Sequence, residues 1–213
     1  MQNQVAAPVV APVAALGAAL RRVRVWDLPT RLFHWALALL VTGSLVSGKI
    51  GGDAMPWHFR FGYGIFALLL FRLVWGLVGG RWSRFANFLY APGTVWRYVR
   101  GHSRAGEALE VGHNPLGSLS VFALLAVLLV QVATGLVTDD EISLVGPLNR
   151  LVPTDVGLSA TSWHNTGGQW LVFGLVGLHL AAIAWYRLGK RVELTRPMIS
   201  GDKPLPADTP ASS

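Results

Sequence analysis

Four stretches of this chain are each about twenty residues long and nearly free of charge, the length a helix needs to cross the hydrocarbon core of a bilayer. They run from about Leu32 to Gly48, His58 to Val78, Leu116 to Val137 and Trp163 to Leu188. None alternates apolar and polar residues with a period of two, which a barrel strand requires. A spanning segment must satisfy its own backbone hydrogen bonds, and an open segment then does so only as a helix. The expected fold class is therefore an all-α integral membrane protein, a bundle of four transmembrane helices. Charge supports this: only 14% of the 213 residues are charged, against roughly a quarter in soluble domains.

The net charge of +7 would suit nucleic acid if it formed a stripe. Instead it flanks the apolar runs, and no nucleic-acid partner is expected. Arg21, Arg22, Arg24 and Arg31 precede the first span, and Arg81, Arg84, Arg97, Arg100 and Arg104 separate the second from the third. Arg187, Lys190, Arg191, Arg196 and Lys203 follow the fourth, so fourteen of the 18 basic residues share one side. The loop from Thr138 to Ser162 is acidic, with Asp139, Asp140, Glu141 and Asp155. The positive-inside rule then puts both termini in the cytoplasm and the acidic loop outside; in a bacterium that membrane is the inner one and the loop faces the periplasm. Met1 to Leu20 is uncharged and rich in Ala, Val and Pro. It lacks the basic start of a secretory signal, and the apolar run after Arg21-Arg22 carries His34 and is read as a retained span, not a twin-arginine leader. Residues 1–22 and 192–213 are expected as disordered cytoplasmic tails around a membrane domain over 23–191. The Gly80–Gly117 loop is too long for a bare connector. Its Phe85, Phe88, Leu89, Val95, Trp96, Tyr98 and Val99, mixed with arginines, predict a helix on the inner membrane surface.

There is no cysteine, which excludes disulfides, iron–sulfur clusters and covalent c-type haem. Histidine is the informative residue, because ionisable groups inside spans are costly and usually functional. By depth, His34 and His179 lie in the inner half of spans one and four, while His58 and His164 lie at the outer mouths of spans two and four. Each pair joins two helices, the geometry for bis-histidine ligation of a flat macrocycle within a bundle. His164 and His179 are 15 residues apart, about 22 Å along a helix and about 60° around it. One helix thus offers a ligand near each membrane face.

Small residues gather where macrocycles would lie: Ala38 beside His34, Gly62 and Gly64 after His58, Gly167 and Gly168 after His164, Gly174 and Gly177 before His179. Membrane helices also use glycine simply to pack closely. Arg72 is 14 residues beyond His58, about 40° off its face and about 21 Å further in, where a propionate or a quinone headgroup would neutralise it. Arg31, Arg60 and Lys49 suit propionates or lipid phosphates equally. His102 and His113, in the inner loop, are expected in solvent. No His-Glu-x-x-His, Gly-x-Ser-x-Gly or P-loop pattern occurs, and no span carries a central carboxylate for ion transport.

Several stretches in this order resemble the bacterial cytochrome b561 family and its relatives, the cytochrome b subunits of nickel-dependent hydrogenases. They are Val25-Trp26-Asp27 with Thr30-Arg31-Leu32-Phe33-His34-Trp35, then His58 with Gly62, then Phe71-Arg72-Leu73-Val74-Trp75-Gly76 with Gly79. Gly112-His113-Asn114-Pro115-Leu116-Gly117, Thr134-Gly135-Leu136 with Asp139-Asp140, His164-Asn165 and Leu178-His179-Leu180 complete the set, from Val23 to Arg191. The resemblance implies two haem b groups, one on His34 and His179 and one on His58 and His164, and electron exchange with membrane quinone. Hydrogenase subunits often have a further span and other ligands, so four spans favour the compact group.

The reading is a di-haem b-type cytochrome that moves electrons across the bilayer between the quinone pool and a redox partner. That partner is a periplasmic c-type cytochrome or dehydrogenase. Any enzymatic activity is quinol:acceptor oxidoreduction, alone or as a subunit, and a homodimer is left open. The alternative is a membrane anchor that docks a periplasmic dehydrogenase, hydrogenase or c-type cytochrome. A cofactor-free transporter is disfavoured, because internal repeats and broken helices are missing.

Overall fold

The computed structural model describes residues 20–102, 111–141 and 145–206. Its long helices are α1 (Leu28–Ile50), α2 (Met55–Val78), α4 (Pro115–Leu136) and α6 (Gly168–Leu188). Shorter elements are β1 (Leu20–Arg24), α3 (Pro92–Val99), α5 (Thr154–Ser162), α7 (Thr195–Ser200) and β2 (Asp202–Pro206). Among the described residues four helical stretches are long and apolar enough to cross a membrane. The chain is a multi-pass membrane helical bundle.

Local chemistry sets the helix ends. Asp27 caps α1 by accepting the Thr30 N–H at 2.8 Å, and Asn114 caps α4 by accepting the Gly117 N–H at 2.7 Å. Proline occupies the first turn of α1, α2, α3 and α4, where no helical N–H bond is lost. The turn from α1 to α2 passes through Gly51 and Gly52 at φ 68° and 50°, a left-handed path open to glycine.

α1 packs on α2, α2 on α4 and α4 on α6, but α6 makes no comparable run of close approaches to α1 or α2. An open seam results. Ile65, Leu69, Leu128 and Val172 form the buried centre, with Leu37, Leu40 and Val41 against them. Most other apolar side chains face outward: Leu39 is 73% exposed and Leu77 72%. That surface suits lipid and not water.

The end where α1 starts and α6 finishes is called the terminal face, the opposite end the loop face. β1 and β2 pair antiparallel at the terminal face, with Arg24 opposite Asp202. Val25 and Trp26 both donate their N–H to the Gly201 carbonyl, and Trp26, Val25 and Val111 form a second core with Met198. The segment expected as a disordered tail from 192 is therefore folded as far as Pro206, and Leu20 to Arg22 lie in a strand. The sheet pairs residues about 180 positions apart, which no local pattern announces. The expected tails at 1–19 and 207–213 lie outside the described residues.

The expected surface helix is confined to α3. Phe85 and Phe88 turn inward, and Phe88 is only 3% exposed. The last span also begins earlier than expected. α5 runs into α6 through a π-helical turn at Trp163–Gly167, making one helix of 35 residues, about 52 Å at 1.5 Å per residue.

Candidate functional site

Both histidine pairs meet across the seam. At the loop face the His58 and His164 rings lie 5.9 Å apart between centroids, at 90°. At the terminal face His34 and His179 lie 6.4 Å apart at 51°. Two metal–imidazole bonds of about 2 Å each, with about 1 Å from nitrogen to ring centre, put centroids roughly 6 Å apart. Each pair therefore has the spacing that one shared metal atom needs. Among the described residues no three His, Asp or Glu converge, so the donors stand as pairs.

The loop-face pair is held by a device repeated on two helices. His58 Nδ1 lies 2.9 Å from the Ser44 carbonyl of α1, and His164 Nδ1 lies 2.9 Å from the Gln131 carbonyl of α4. A carbonyl only accepts, so Nδ1 carries the proton and Nε2 keeps its lone pair. Three residues on, a hydroxyl lies beside each of those carbonyls, Ser47 at 3.2 Å and Thr134 at 3.0 Å, its proton shared with the nearer carbonyl of Gly43 at 2.7 Å or Val130 at 2.9 Å. Four residues on, a glycine leaves room for the ring. A Cβ at Gly48 would lie 2.9 Å from His58 Nδ1, and one at Gly135 would lie 2.9 Å from His164 Cε1. Gln131 adds a clasp, because its amide donates to the His164 carbonyl at 2.7 Å. The π-helical turn carries His164. A turn of this kind absorbs about one extra residue, which moves the angle between His164 and His179 from about 60° on one side to about 40° on the other. Both ligands still face the seam.

A cavity of about 240 Å³ opens beside this pair, lined by Gly62, Tyr63, Gln131, Asp140, His58 and His164 among others. A Cβ at Gly62, Gly174 or Gly177 would meet nothing within 4 Å, whereas one at Gly64 would press on Leu40 and one at Gly168 on Gln131. The glycines thus divide into those beside open space and those that pack helices. Paired imidazoles across a seam with open ground beside them fit a flat macrocycle with axial nitrogen ligands.

At the terminal face, residues from separate stretches converge on Arg72. Its side chain is 3% exposed, its guanidinium lies 4.4 Å over the Phe85 ring and 5.9 Å from that of Phe88, and Nη1 has no partner. Gly76 is where Phe85 sits, since a Cβ there would collide with that ring. Trp75 Nε1 and Ser83 Oγ both donate to the Asp27 carboxylate, at 3.1 Å and 2.8 Å. Burial alone would raise the Asp27 carboxyl, but the bonds from Thr30, Ser83 and Trp75 hold it below the ordinary carboxylate value.

The remaining expectations divide. His113 is not in solvent: its ring packs 4.6 Å from Trp26 and 4.4 Å from Phe88, with Nδ1 buried and unpartnered. Burial first, then Arg72 and His34, push its pKa down to about 3. His102 is exposed as expected. Arg31 donates through Nη1 to the Ile199 carbonyl and so pins the C-terminal segment, while its Nε is buried without a partner. Arg60 lies 4.7 Å over Trp57 and is exposed, as is Lys49. Sequence reasoning missed Ser44, Ser47, Gly48, Gln131 and His113. The Ser-Gly and Thr-Gly steps at 47–48 and 134–135 are the signal that could have found the loop-face device.

A family model described as prokaryotic cytochrome b561 matches residues 25–201, and the chain belongs to that family. Haem b and electron transport follow from that membership. Among its relatives is the probable Ni/Fe-hydrogenase 1 B-type cytochrome subunit of Escherichia coli (strain K12), 24% identical over 190 residues, 73% of this chain and 80% of that one. Probable Ni/Fe-hydrogenase B-type cytochrome subunits of Bradyrhizobium diazoefficiens and Azotobacter chroococcum are 25% and 26% identical. They match 85% and 88% of this chain, and 85% and 91% of their own lengths. These relatives carry the name of the hydrogenase branch, which the span count had disfavoured.

Proposed function

We propose that this chain is a di-haem cytochrome b that carries electrons across the inner membrane between a periplasmic redox enzyme and the quinone pool. The pairing of His34 with His179 and His58 with His164, each at the spacing of one shared metal, is the observation that carries this reading. Haem supplies reversible one-electron chemistry once bound. The chain's own residues do the rest. His34, His179, His58 and His164 would hold the haem irons through their imidazole nitrogens, and Ser44 and Gln131 orient the loop-face rings with Nε2 free. The layer of Ile65, Leu69, Leu128 and Val172 keeps the ground between the pairs dry. Arg72 is placed to neutralise a carboxylate or a quinone headgroup at the terminal face.

The excess of Lys and Arg makes the terminal face cytoplasmic and the loop face periplasmic. The names of the relatives favour a Ni/Fe-hydrogenase as the enzyme that docks there. The test is the reduced-minus-oxidised spectrum of the purified protein, with haem quantified per chain and each histidine replaced by alanine. Two low-spin b haems are expected, one lost in His34→Ala and His179→Ala and the other in His58→Ala and His164→Ala. Losses that do not divide in this way sink the ligand assignment. Reduction by hydrogen in membranes that also hold the hydrogenase tests the partner.

A further inference from the structure

At the terminal face α3 is tied to the end of α6, away from the histidine pairs. The Tyr98 and Tyr186 hydroxyls lie 3.0 Å apart, and the Asn114 amide at the start of α4 donates to Tyr186 at 2.8 Å. Cations stand on both sides of this tie. Lys190 Nζ is 4.9 Å from the centre of the Tyr186 ring, and the Arg100 guanidinium is 4.3 Å from that of Trp96. Glu193, the nearest acid in the chain, is engaged by Arg187 at 3.6 Å. Among the described residues no carboxylate pairs with Arg100, Lys190 or Arg191, and all three are exposed. Leu89, Trp96 and Leu188 beside them are exposed and apolar. The end of one span and the start of another flank α3, so the cluster sits at the depth of lipid headgroups.

Arg191 adds an independent observation. The chain leaves α6 through this residue at φ 55°, in the left-handed region, and the Val192 N–H returns to the Tyr186 carbonyl at 2.9 Å. Glycine takes that conformation at no steric cost, whereas an arginine there is strained. Strain kept at a charged residue points to a use for its side chain. We propose that Arg100, Lys190 and Arg191 bind the headgroup of an anionic phospholipid, the phosphodiester on the cations and the acyl chains along Leu89, Trp96 and Leu188. Basic side chains gathered between helix ends at the membrane surface suit such a headgroup, and exposed aromatic and aliphatic groups beside them suit its chains. The site stands apart from the histidine pairs and does not depend on how they ligate haem.

The experiment is native mass spectrometry of the purified, delipidated holoprotein in detergent, titrated with phosphatidylglycerol or with phosphatidylcholine. Phosphatidylglycerol should bind more tightly, and glycerol phosphate should not displace it. Arg100→Gln, Lys190→Gln and Arg191→Gly should each weaken it roughly fivefold, the effect of one charge at the membrane surface. Arg150→Gln, which removes an exposed charge at the loop face, should leave it unchanged. Arg191→Gly should also keep or raise the melting temperature measured without lipid, since glycine relieves the turn. A lower melting temperature would mean that the arginine serves the turn, and would overturn its place in the site. Equal binding of the two lipids overturns the proposal, as does an Arg150→Gln loss as large as the others. Displacement by glycerol phosphate makes this a site for free phosphate and overturns the lipid. Unchanged binding in all three terminal-face variants places the lipid elsewhere.

Discussion

His113 is the residue whose setting departs most from its place in a loop. Its ring is wedged between Trp26 and Phe88, and its carbonyl accepts the Tyr90 hydroxyl at 2.8 Å. Asn114, next in the chain, caps α4 and also donates to Tyr186 of α6 at 2.8 Å. The His113 imidazole is held neutral, its pKa near 3 in the folded protein against an ordinary 6.5. Between those values the unfolded chain binds the proton and the folded one does not. Stability is therefore full above about pH 6.5 and falls as pH drops toward 3, by up to about 1.4 kcal/mol per pH unit for one such group. The melting temperature of the purified protein should decline over that window. It should decline less steeply in His113→Gln, which has nothing to titrate there. Parallel profiles for the two proteins would remove His113 from the account.

At the scale of elements, helices approach one another where a side chain has been deleted, and part where one has not filled the space. Gly76 on α2 admits the Phe85 ring that covers Arg72, so Gly76→Ala forces ring or helix to move. Overpacking of this kind costs about 1–3 kcal/mol, read as a lower melting temperature. Gly62 is the opposite case, since a side chain there would enter open space beside His58. Gly62→Leu should leave the helical content and melting temperature of the cofactor-free protein near normal while reducing haem bound at the loop-face pair. Full haem occupancy in that variant would mean that the macrocycle lies elsewhere along the seam.

For the whole molecule, the two ends of the described chain are tied together at the terminal face. Gly201, at φ 89°, offers its carbonyl to Val25 and Trp26, Trp35 Nε1 reaches Met198 O at 3.3 Å, and Arg31 holds Ile199. The exposed Arg24–Asp202 pair at 3.2 Å adds little. Apolar packing of Met198 on Val25, Trp26 and Val111 carries more. A chain ending at Arg191 should insert and keep its four spans but melt at a lower temperature, with Trp26 fluorescence shifted toward that of a wetter indole. An unchanged melting temperature would show that the terminal cap is dispensable.

What the sequence determined by itself follows from one-dimensional rules. Lipid cannot bond a bare backbone, so runs of about 20 apolar residues become spanning helices. A rise of about 1.5 Å per residue then fixes the depth of each histidine. That is why the span count and the two facing pairs were legible at His34, His58, His164 and His179. The depth argument also put Arg72 on the interior, where it is buried. The tertiary structure alone decided which helix stands beside which. The Ser44 and Gln131 carbonyls, the spaces left at Gly48 and Gly135 and the burial of His113 all depend on that choice. So does the pairing of β1 with β2. Each joins residues far apart in the chain through a contact whose energy exists only once both helices or strands are already in place. Local periodicity carries no trace of such contacts.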